Sequence, residues 1–270
     1  MFLCPICHKE LSRANNSFRC ENNHCYDIAS SGYVNLLNPG KRNNAKAGDS
    51  KEMVRARSGF FTSGAYAPIS DMLCSLVSTL KRDIIVDAGC GEGYYTCNIA
   101  KSNTESRVLG FDVSKFGCEH GSKIAKRDNL SNLFFSVGNI FELPLKNDFA
   151  DIIINAFAPV ANTEFLRVLK PGGHLIVLSA GVDHLIGLKK LLYEDTYQNE
   201  EKIPHYEGFD TPIVKNLRYD TKIIGNDTIK NLFTMTPYYF RTSLEDKKKL
   251  DGVSEINTTI EVNFAIYKKL

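Results

Sequence analysis

The distribution of apolar and polar residues predicts a long part of the chain in which strands and helices alternate. From Ile84 onward, short apolar runs predict strands at residues 84–88, 107–113, 133–138, 151–156 and 174–179. Amphipathic stretches between them predict helices over about residues 94–101, 115–127, 162–169 and 184–194. Apolar strands that alternate with helices are typical of a parallel sheet covered on both faces. We therefore predict an α/β fold for this part.

The residues ahead of Ile84 follow a different pattern. Helical periodicity predicts helices at residues 51–61 and about 68–81, whereas Asn, Gly, Lys and Arg between 38 and 50 indicate a loop. A turn at residues 15–17, followed by the start of a strand, predicts a small β unit. The predicted parts are a small unit at 1–37, a basic linker and helix at 38–66, and the α/β domain at 67–270.

The composition is that of a globular protein, with 43% hydrophobic and 24% charged residues. No apolar run approaches the roughly 20 residues that span a bilayer, and the N-terminus has no apolar signal segment. We therefore expect a cytoplasmic protein with no membrane partner. In a reducing compartment its eight cysteines are expected to be metal ligands or buried thiols.

Cysteine and histidine are concentrated near the start of the chain. Cys4 and Cys7 form a C-x2-C pair, and after 12 intervening residues Cys20 and His24 form a C-x3-H pair. Two such pairs joined by a hairpin can supply the four ligands of a tetrahedral Zn²⁺, with no position left open for catalysis. The spacing therefore predicts a structural zinc site.

Two neighbouring residues leave the fourth ligand open. Cys25 adjoins His24 and could replace it, whereas His8 would have to fold back beside Cys7. A thioredoxin-type redox role for C-P-I-C is not favoured, because no strand precedes the motif and no βαβ unit contains it.

The stretch IIVDAGCGEGYYT indicates a cofactor loop. A buried strand ends at Asp87, and a turn containing Gly89, Gly91 and Glu92 leads into a helix. Glycines in such a turn let the backbone approach a ligand closely. Dinucleotide enzymes share this geometry, so NAD or NADP binding and a Rossmann-like domain without cofactor are alternatives.

Two later positions extend the candidate cofactor site. Asp112 ends the second strand of the α/β part, 25 residues after Asp87, where a carboxylate can accept hydrogen bonds from two ribose hydroxyls. Asn139 follows the third strand and could meet an adenine edge.

The cofactor loop, the acid after the second strand and the turn before the fifth strand together resemble the class I S-adenosylmethionine-dependent methyltransferases. This likeness covers residues 84–180 and implies a Rossmann-like fold. Nearly the whole chain resembles the bacterial 23S ribosomal RNA (guanine-N1)-methyltransferases, which join a zinc ribbon to this domain. The motifs that carry the resemblance are CPIC, GYVNLL, GDSKEMVRAR, SGAYAPIS, DAGCGEGYYT, FDVSK, AFAP, LKPGGHLIV and DHLIGLKKLLY.

The resemblance implies site residues and partners. It implies zinc at Cys4, Cys7, Cys20 and His24, and so favours the histidine over Cys25. It implies S-adenosylmethionine as methyl donor, with a hairpin of 23S ribosomal RNA as substrate and a homodimer as the assembly. The implied donor contacts are Tyr66, Gly91, Glu92 and His184.

Asn155 and Phe157, after the fourth predicted strand, are the candidate catalytic residues that would orient the target purine. Relatives often carry tyrosine in this segment. Phenylalanine keeps a stacking face but lacks the hydroxyl, so no role of that hydroxyl carries over.

Charge suggests how RNA would bind. Residues 1–60 contain nine Lys or Arg and five Asp or Glu, although the whole chain has a net charge of only +2. A basic front end on a near-neutral body favours a polyanionic partner, and a solvated basic loop is the alternative. The residues expected to contact RNA are Arg13, Phe18, Arg19, Lys41, Arg42 and Lys46.

Two rival functions remain at this point. A small-molecule methyltransferase would share the cofactor loop but would have no need for a zinc ribbon or a basic strip. A zinc-ribbon RNA-binding protein with a vestigial methyltransferase fold would have no need for the intact loop or for Asp112.

Overall fold

Three short antiparallel strands begin the computed structural model, which describes residues 2–38, 40, 48–80, 83–200 and 203–270. They are β1 (Ser12–Ala14), β2 (Ser17–Arg19) and β3 (Cys25–Asp27). Asn15, in the turn between β1 and β2, has a φ of 53°, a conformation that asparagine tolerates in tight hairpins. The predicted hairpin between the two ligand pairs is therefore confirmed.

A larger sheet runs through the centre of the described chain, in the order β10-β11-β9-β8-β5-β6-β7-β4. The strands from β9 to β4 are parallel, and β10 and β11 are antiparallel additions. The strands are β4 (Val34–Asn35), β5 (Ile84–Ala88), β6 (Arg107–Asp112), β7 (Leu133–Val137), β8 (Ala150–Ala156), β9 (Leu169–Ala180), β10 (Ile213–Ile224) and β11 (Glu255–Lys268).

Helices cover both faces of this sheet. Within β5, Ile85 belongs to the apolar cluster on one face and Val86 to the cluster on the other, which explains the unbroken apolar run of the strand. The described helices are α1 (Lys51–Phe61), α2 (Ala67–Ser78), α3 (Tyr94–Ser102), α4 (Lys115–Arg127), α5 (Asn162–Val168), α6 (Ile186–Leu192), α7 (Asn226–Thr234), α8 (Tyr238–Arg241) and α9 (Leu244–Lys248).

The predicted α/β fold is confirmed, with most boundaries within one or two residues. The main difference is β9, which begins at residue 169 rather than 174, because Leu169 already pairs with Ala150 across a register shift. The second helix lies at Ala67–Ser78, and its predicted end at residue 81 falls outside the described residues.

The last third of the chain contains elements that the sequence did not predict. The long strands β10 and β11 pair over 12 residues, and β11 also pairs with β9. β10 is mostly exposed, so its apolar pattern is weak, and its partner follows it only after three intervening helices. This antiparallel pair of strands extends the sheet at the edge opposite the small N-terminal unit.

The N-terminal unit is joined to the central sheet by pairing and by packing. Strand β4 pairs in parallel with β7, and the fully buried Phe2 contacts the rings of Phe18, Phe111 and Phe134. The predicted exposure of Phe18 to RNA is wrong, because this side chain is 5% exposed within that cluster. The predicted domain boundary after residue 37 is not tested by these contacts and stays a prediction.

Within the described ranges, no helix has the length and apolar character needed to cross a membrane.

Candidate functional site

The four predicted metal ligands converge on one point in the N-terminal unit. The ligand atoms of Cys4, Cys7, Cys20 and His24 all lie within 4.8 Å of one another. Cys7 Sγ and Cys20 Sγ are 3.6 Å apart, and His24 Nδ1 is 3.4 Å from the sulfur atoms of both Cys4 and Cys20. Zinc bonds of about 2.0–2.3 Å at tetrahedral angles separate neighbouring ligand atoms by about 3.3–3.8 Å. The cluster therefore fits Zn²⁺.

A hydrogen bond supports one of these ligands. The Tyr26 hydroxyl lies 3.2 Å from Cys4 Sγ. Burial raises the pKa of the Cys4 thiol, but the hydrogen bonds from Tyr26 and from the backbone of Cys7 and Ile6 outweigh it and lower the pKa to about 6. The thiolate is the form that binds metal, so this environment favours coordination.

The two alternative ligands lie outside the cluster. Cys25 is exposed in β3, with its sulfur 3.9 Å from Arg19 Nη2. His8 is exposed, and its side chain does not belong to the ligand cluster. Its backbone N–H donates a hydrogen bond to Cys4 O. The geometry brings His24 to the metal position.

The glycine-rich loop between β5 and α3 leaves space for a ligand. A Cβ atom on Gly89 would lie 2.7 Å from the Ala158 side chain, so close packing requires glycine there. Gly91 has a φ of 56°, and a Cβ atom on it would meet nothing within 4 Å. The loop therefore presents its backbone to open space at Gly91, as a cofactor cradle requires.

Asp112 lies beside this cradle, at the end of β6. Its Oδ2 accepts a hydrogen bond from Gly91 N at 2.9 Å, and its Oδ1 accepts one from Ser114 N at 2.7 Å. Burial raises the pKa of this carboxyl, partly offset by the two backbone donors. Each carboxylate oxygen has a second lone pair, so the arrangement still suits the two hydroxyls of a ribose.

Two buried carboxyl groups line the same loop. Asp87 Oδ2 accepts a hydrogen bond from Thr96 Oγ1 at 2.6 Å, whereas Asp87 Oδ1 is buried without a partner among the described residues. Burial raises the pKa of both Asp87 and Glu92 to about 7, although the charge of Arg57 opposes this for Glu92. An orphaned buried acceptor fits a cationic ligand group such as an ammonium. S-adenosylmethionine carries an ammonium group, so the polar groups of this loop fit S-adenosylmethionine.

Arg57 on α1 is a site residue that the sequence interpretation did not single out. Its Nε lies 2.5 Å from Asp49 Oδ2. Burial lowers the pKa of its guanidinium, but the carboxylates of Asp49, Glu92 and Asp112 outweigh burial and raise it. Helical spacing from the apolar residues at 60 and 61 was the available signal, because it places residue 57 on the inner face of α1.

Tyr66 and His184 lie in contact, although 118 positions separate them in the sequence. Tyr66 Oη is 2.9 Å from His184 Nε2, and both side chains are buried. The backbone N–H of Glu261 in β11 donates to His184 Nδ1 at 3.2 Å. Burial lowers the pKa of His184 to about 4, so its imidazole is neutral at pH 7.

The two candidate catalytic residues differ in accessibility. Phe157 is 40% exposed, has a φ of 55°, and stacks on His184 with ring centroids 6.1 Å apart. Asn155 is fully buried, and its amide nitrogen donates to Ala88 O and Pro159 O at 2.9 and 3.1 Å. Phe157 therefore offers a face to a substrate, whereas Asn155 ties the cofactor loop to the segment after β8.

Asn139 follows β7 and lies near the N-terminal unit. Its Oδ1 accepts a hydrogen bond from Phe141 N at 3.0 Å. Its side chain lines a cavity of about 440 Å³ whose other wall includes Pro5 and His8. The role predicted for Asn139 at an adenine edge stays a prediction.

The predicted basic strip is divided. Arg13 pairs with Phe18 across β1 and β2, so Arg19, the next residue after Phe18, points to the opposite face of the small sheet. Both arginines are exposed. Lys41, Arg42 and Lys46 lie outside the described residues.

Comparison with known proteins gives consistent results along the chain. A methyltransferase domain family matches residues 80–236, and the N-terminal zinc ribbon family of RlmA matches residues 2–46. A 23S rRNA (guanine(748)-N(1))-methyltransferase of Streptomyces fradiae is 29% identical over 99% of this chain and 96% of its own length. A Micromonospora griseorubida protein named "Putative 23S rRNA (guanine-N(1)-)-methyltransferase" is 30% identical over 68% of this chain and 67% of its own.

Among solved structures, the YcgJ protein of Bacillus subtilis is similar with a TM-score of 0.51 and 16% identity. The similarity covers 74% of this chain and 97% of that protein, and it supports the fold alone.

Proposed function

We propose that this protein methylates N1 of a guanosine in a hairpin of 23S ribosomal RNA, because the chain belongs to the methyltransferase family that carries an RlmA-type zinc ribbon. S-adenosylmethionine supplies the methyl group when bound. The relatives named above carry this activity in their names, and the Streptomyces fradiae protein matches 99% of the chain, which includes both of its parts.

The observation that carries this proposal is the attachment of the zinc ribbon to the sheet that forms the donor site. Phe2 of the N-terminal unit contacts Phe111, which immediately precedes Asp112 at the donor site. An isolated ribbon is too small to fold by its own core, and zinc supplies the missing stability. A small-molecule methyltransferase has no need for a rigid module beside its donor site.

The proposed roles of the site residues follow from their surroundings. Tyr66, Gly91, Glu92, Asp112 and His184 would bind or support the donor, and the four-ligand cluster would bind zinc. Asp87, Gly89 and Asn139 are further proposed donor-site residues.

Guanine N1 lies inside the Watson–Crick pair, so the target base must be unpaired or extruded. The exposed Phe157 ring offers a surface on which such a purine can stack. Asn155 would contribute by holding the loop before Pro159 in place. We further propose that the protein acts in the cytoplasm as a homodimer, which would enlarge the surface available to an RNA hairpin.

The proposal is tested by primer extension on 23S ribosomal RNA from a strain that lacks the gene. Methylation at N1 removes a Watson–Crick donor, so reverse transcriptase should stop at one guanosine after treatment with the protein and S-adenosylmethionine. Absence of any new stop on both deproteinised RNA and intact ribosomal subunits would contradict the proposed substrate.

A matched pair of variants examines the stacking surface. Phe157→Ala should lower the rate of RNA methylation, whereas Phe157→Tyr, which keeps the aromatic face, should retain most of it. Equal donor affinity in both variants, measured by calorimetry, would show that the loss concerns RNA and not the donor.

A further inference from the structure

The hydrogen bonds of His184 determine where the proton of the Tyr66 hydroxyl points. Because His184 Nδ1 accepts a hydrogen bond from Glu261 N, this nitrogen carries no proton. The neutral imidazole must then carry its proton on Nε2, which donates to Tyr66 Oη. Tyr66 Oη is therefore an acceptor in this pair, and its own O–H proton is directed elsewhere.

No acceptor for that proton occurs among the described residues, although Tyr66 is only 3% exposed. A buried hydroxyl donor without an acceptor is costly, so it indicates an acceptor on a bound molecule. Both ring nitrogens of His184 already have protein partners. His184 thus has no free hydrogen-bonding atom of its own for a ligand.

Arg57 approaches the same site from α1. It lies three and four positions before Phe60 and Phe61, whose ring centroids are 5.1 and 5.9 Å from that of Tyr66. Its Nε faces Asp49, and the backbone carbonyl of Asp49 accepts a hydrogen bond from Ser114 Oγ at 2.7 Å. Arg57 therefore extends between the Tyr66 side of the site and the end of β6.

The positive charge of Arg57 suits an anionic group at this position. Asp87, Glu92 and Asp112 are carboxyl groups that favour the cationic parts of a ligand. A methyl donor of the sulfonium type also carries one carboxylate, which needs a cation and a hydrogen-bond donor to replace its hydration.

We propose that the Arg57 guanidinium and the Tyr66 hydroxyl form the subsite for the carboxylate of S-adenosylmethionine, and that His184 is a positioning residue that acts through Tyr66. The inference rests on the donor of the proposed function and not on its RNA substrate. It assigns Arg57 a binding role, and it replaces the direct donor contact that the family resemblance implies for His184 by an indirect one.

The test compares two ligands that differ only in the carboxylate: S-adenosylmethionine and decarboxylated S-adenosylmethionine. Calorimetry on the full-length zinc-loaded protein should give Arg57→Gln a loss of about 10–100-fold in affinity for the first ligand, the range expected for a charged hydrogen bond. Affinity for the decarboxylated ligand should change by less than about twofold, since the lost partner is absent from it. Arg55→Gln, an exposed position on the same helix, is the matched control and should affect neither ligand.

Tyr66→Phe provides a second variant that keeps the packing and removes only the hydroxyl. It should likewise weaken binding of S-adenosylmethionine and spare the decarboxylated ligand. His184→Ala should resemble Tyr66→Phe, and His184→Gln, whose amide can still donate to Tyr66, should recover part of the loss.

Equal losses for both ligands in Arg57→Gln and Tyr66→Phe would overturn the inference, because they would indicate a general disturbance of the loop. Wild-type protein that binds both ligands equally would also overturn it. Wild-type protein that discriminates between the ligands but leaves 23S ribosomal RNA unmethylated would contradict the proposed function and leave this inference standing.

Discussion

The metal centre and the donor site are built in opposite ways. The four proposed metal ligands lie within residues 4–24, on two short loops joined by one hairpin. The proposed donor site joins side chains from α1, β6 and the segments before α2 and α6, and Tyr66 and His184 are 118 positions apart. The first site depends on local spacing and a metal, whereas the second depends on the complete sheet.

The two regions are not independent where they meet, because they share buried aromatic side chains. Phe2 lies two residues before the first metal ligand, and it packs against Phe111 and Phe134 of the central sheet. The N-terminal unit therefore folds around zinc locally but shares its core with the donor domain.

Loss of the metal should have the largest effect. Structural zinc contributes about 10–16 kcal/mol to the folding of small zinc modules. Cys20→Ser should therefore abolish the single Zn²⁺ per chain and unfold the N-terminal unit, while the central sheet retains donor binding. Metal analysis and donor calorimetry on one sample measure both effects.

Cys25→Ser is the matched control for the metal prediction, because Cys25 is exposed and lies outside the cluster. It should keep its zinc. Equal zinc loss from Cys20→Ser and Cys25→Ser would contradict the ligand assignment.

Loss of the packing that the two regions share should have the second largest effect. Phe2→Ala should lower the free energy of unfolding by about 3–5 kcal/mol, the usual cost of truncating a buried phenylalanine. Because Phe2 bridges both regions, thermal denaturation should lose stability in the donor domain as well. Ile6→Ala, at a position 46% exposed, should change stability by less than about 0.5 kcal/mol. An unchanged main transition in Phe2→Ala would mean that the two regions fold independently.

At the donor site alone, Asp112→Ala should weaken donor binding by about one to two decades. It removes acceptors for the ribose and for the backbone of Gly91, and each charged hydrogen bond contributes roughly 1.5–3 kcal/mol. The zinc content should stay the same. Asp112→Asn, which keeps one acceptor oxygen, should lose less affinity than the alanine variant, and calorimetry that finds both equal to wild type would exclude Asp112 as ribose ligand.

Titration of the buried carboxyl groups should make the donor site respond to pH separately from the N-terminal unit. Burial raises the pKa of Asp87 and Glu92 to about 7, so the folded state holds their protons more tightly than the unfolded chain does. Their contribution to stability is complete below about pH 4 and is lost as pH rises through about 7. The ionised forms suit a cationic donor, so donor affinity should rise over that window by at most about tenfold per pH unit for each group.

Calorimetry from pH 5.5 to 8 measures this dependence, and Glu92→Gln should reduce it to the contribution of Asp87. A donor affinity that falls as pH rises in this window would contradict the assignment of these carboxyl groups to the donor site.

The smallest effect is expected at the basic residues of the N-terminal unit. Each phosphate contact contributes about 0.7–0.9 to the slope of log affinity against log salt. Because Arg13 and Arg19 face opposite sides of the small sheet, only one of the single glutamine variants should lower the slope for RNA hairpin binding. A lower slope in both would indicate that RNA wraps around the edge of the hairpin.

The elements with regular local patterns could be predicted from the sequence. The strand at Ile84–Ala88 and the helix at Lys51–Phe61 have the predicted bounds, because apolar runs and helical spacing are local properties. The strand β10 was missed because most of its residues are exposed, and its partner β11 begins 31 residues after it ends. Pairing over such a separation depends on the finished sheet.

The site residues likewise include some that the sequence predicted and some that it did not. Phe18 was expected to contact RNA together with Arg13 and Arg19, but the alternation of side chains along β2 turns it toward Phe2 and Phe134. Arg57 and Arg55 are the same residue type on one helix, and helical spacing places only Arg57 on the inner face; the structure adds that Glu92 and Asp112 are close enough to act on its charge.

The sequence by itself determined the two parts of this protein, the spacing of its metal ligands and the glycine turn of its donor loop. These features depend on chain geometry over a few residues. Only the tertiary structure decided that Cys25 lies outside the cluster of Cys4, Cys7, Cys20 and His24, that Phe2 joins the two parts, and that Tyr66 meets His184. Each of these depends on which atoms from distant segments meet in a buried space, where an unsatisfied polar group is costly and one arrangement of partners is favoured.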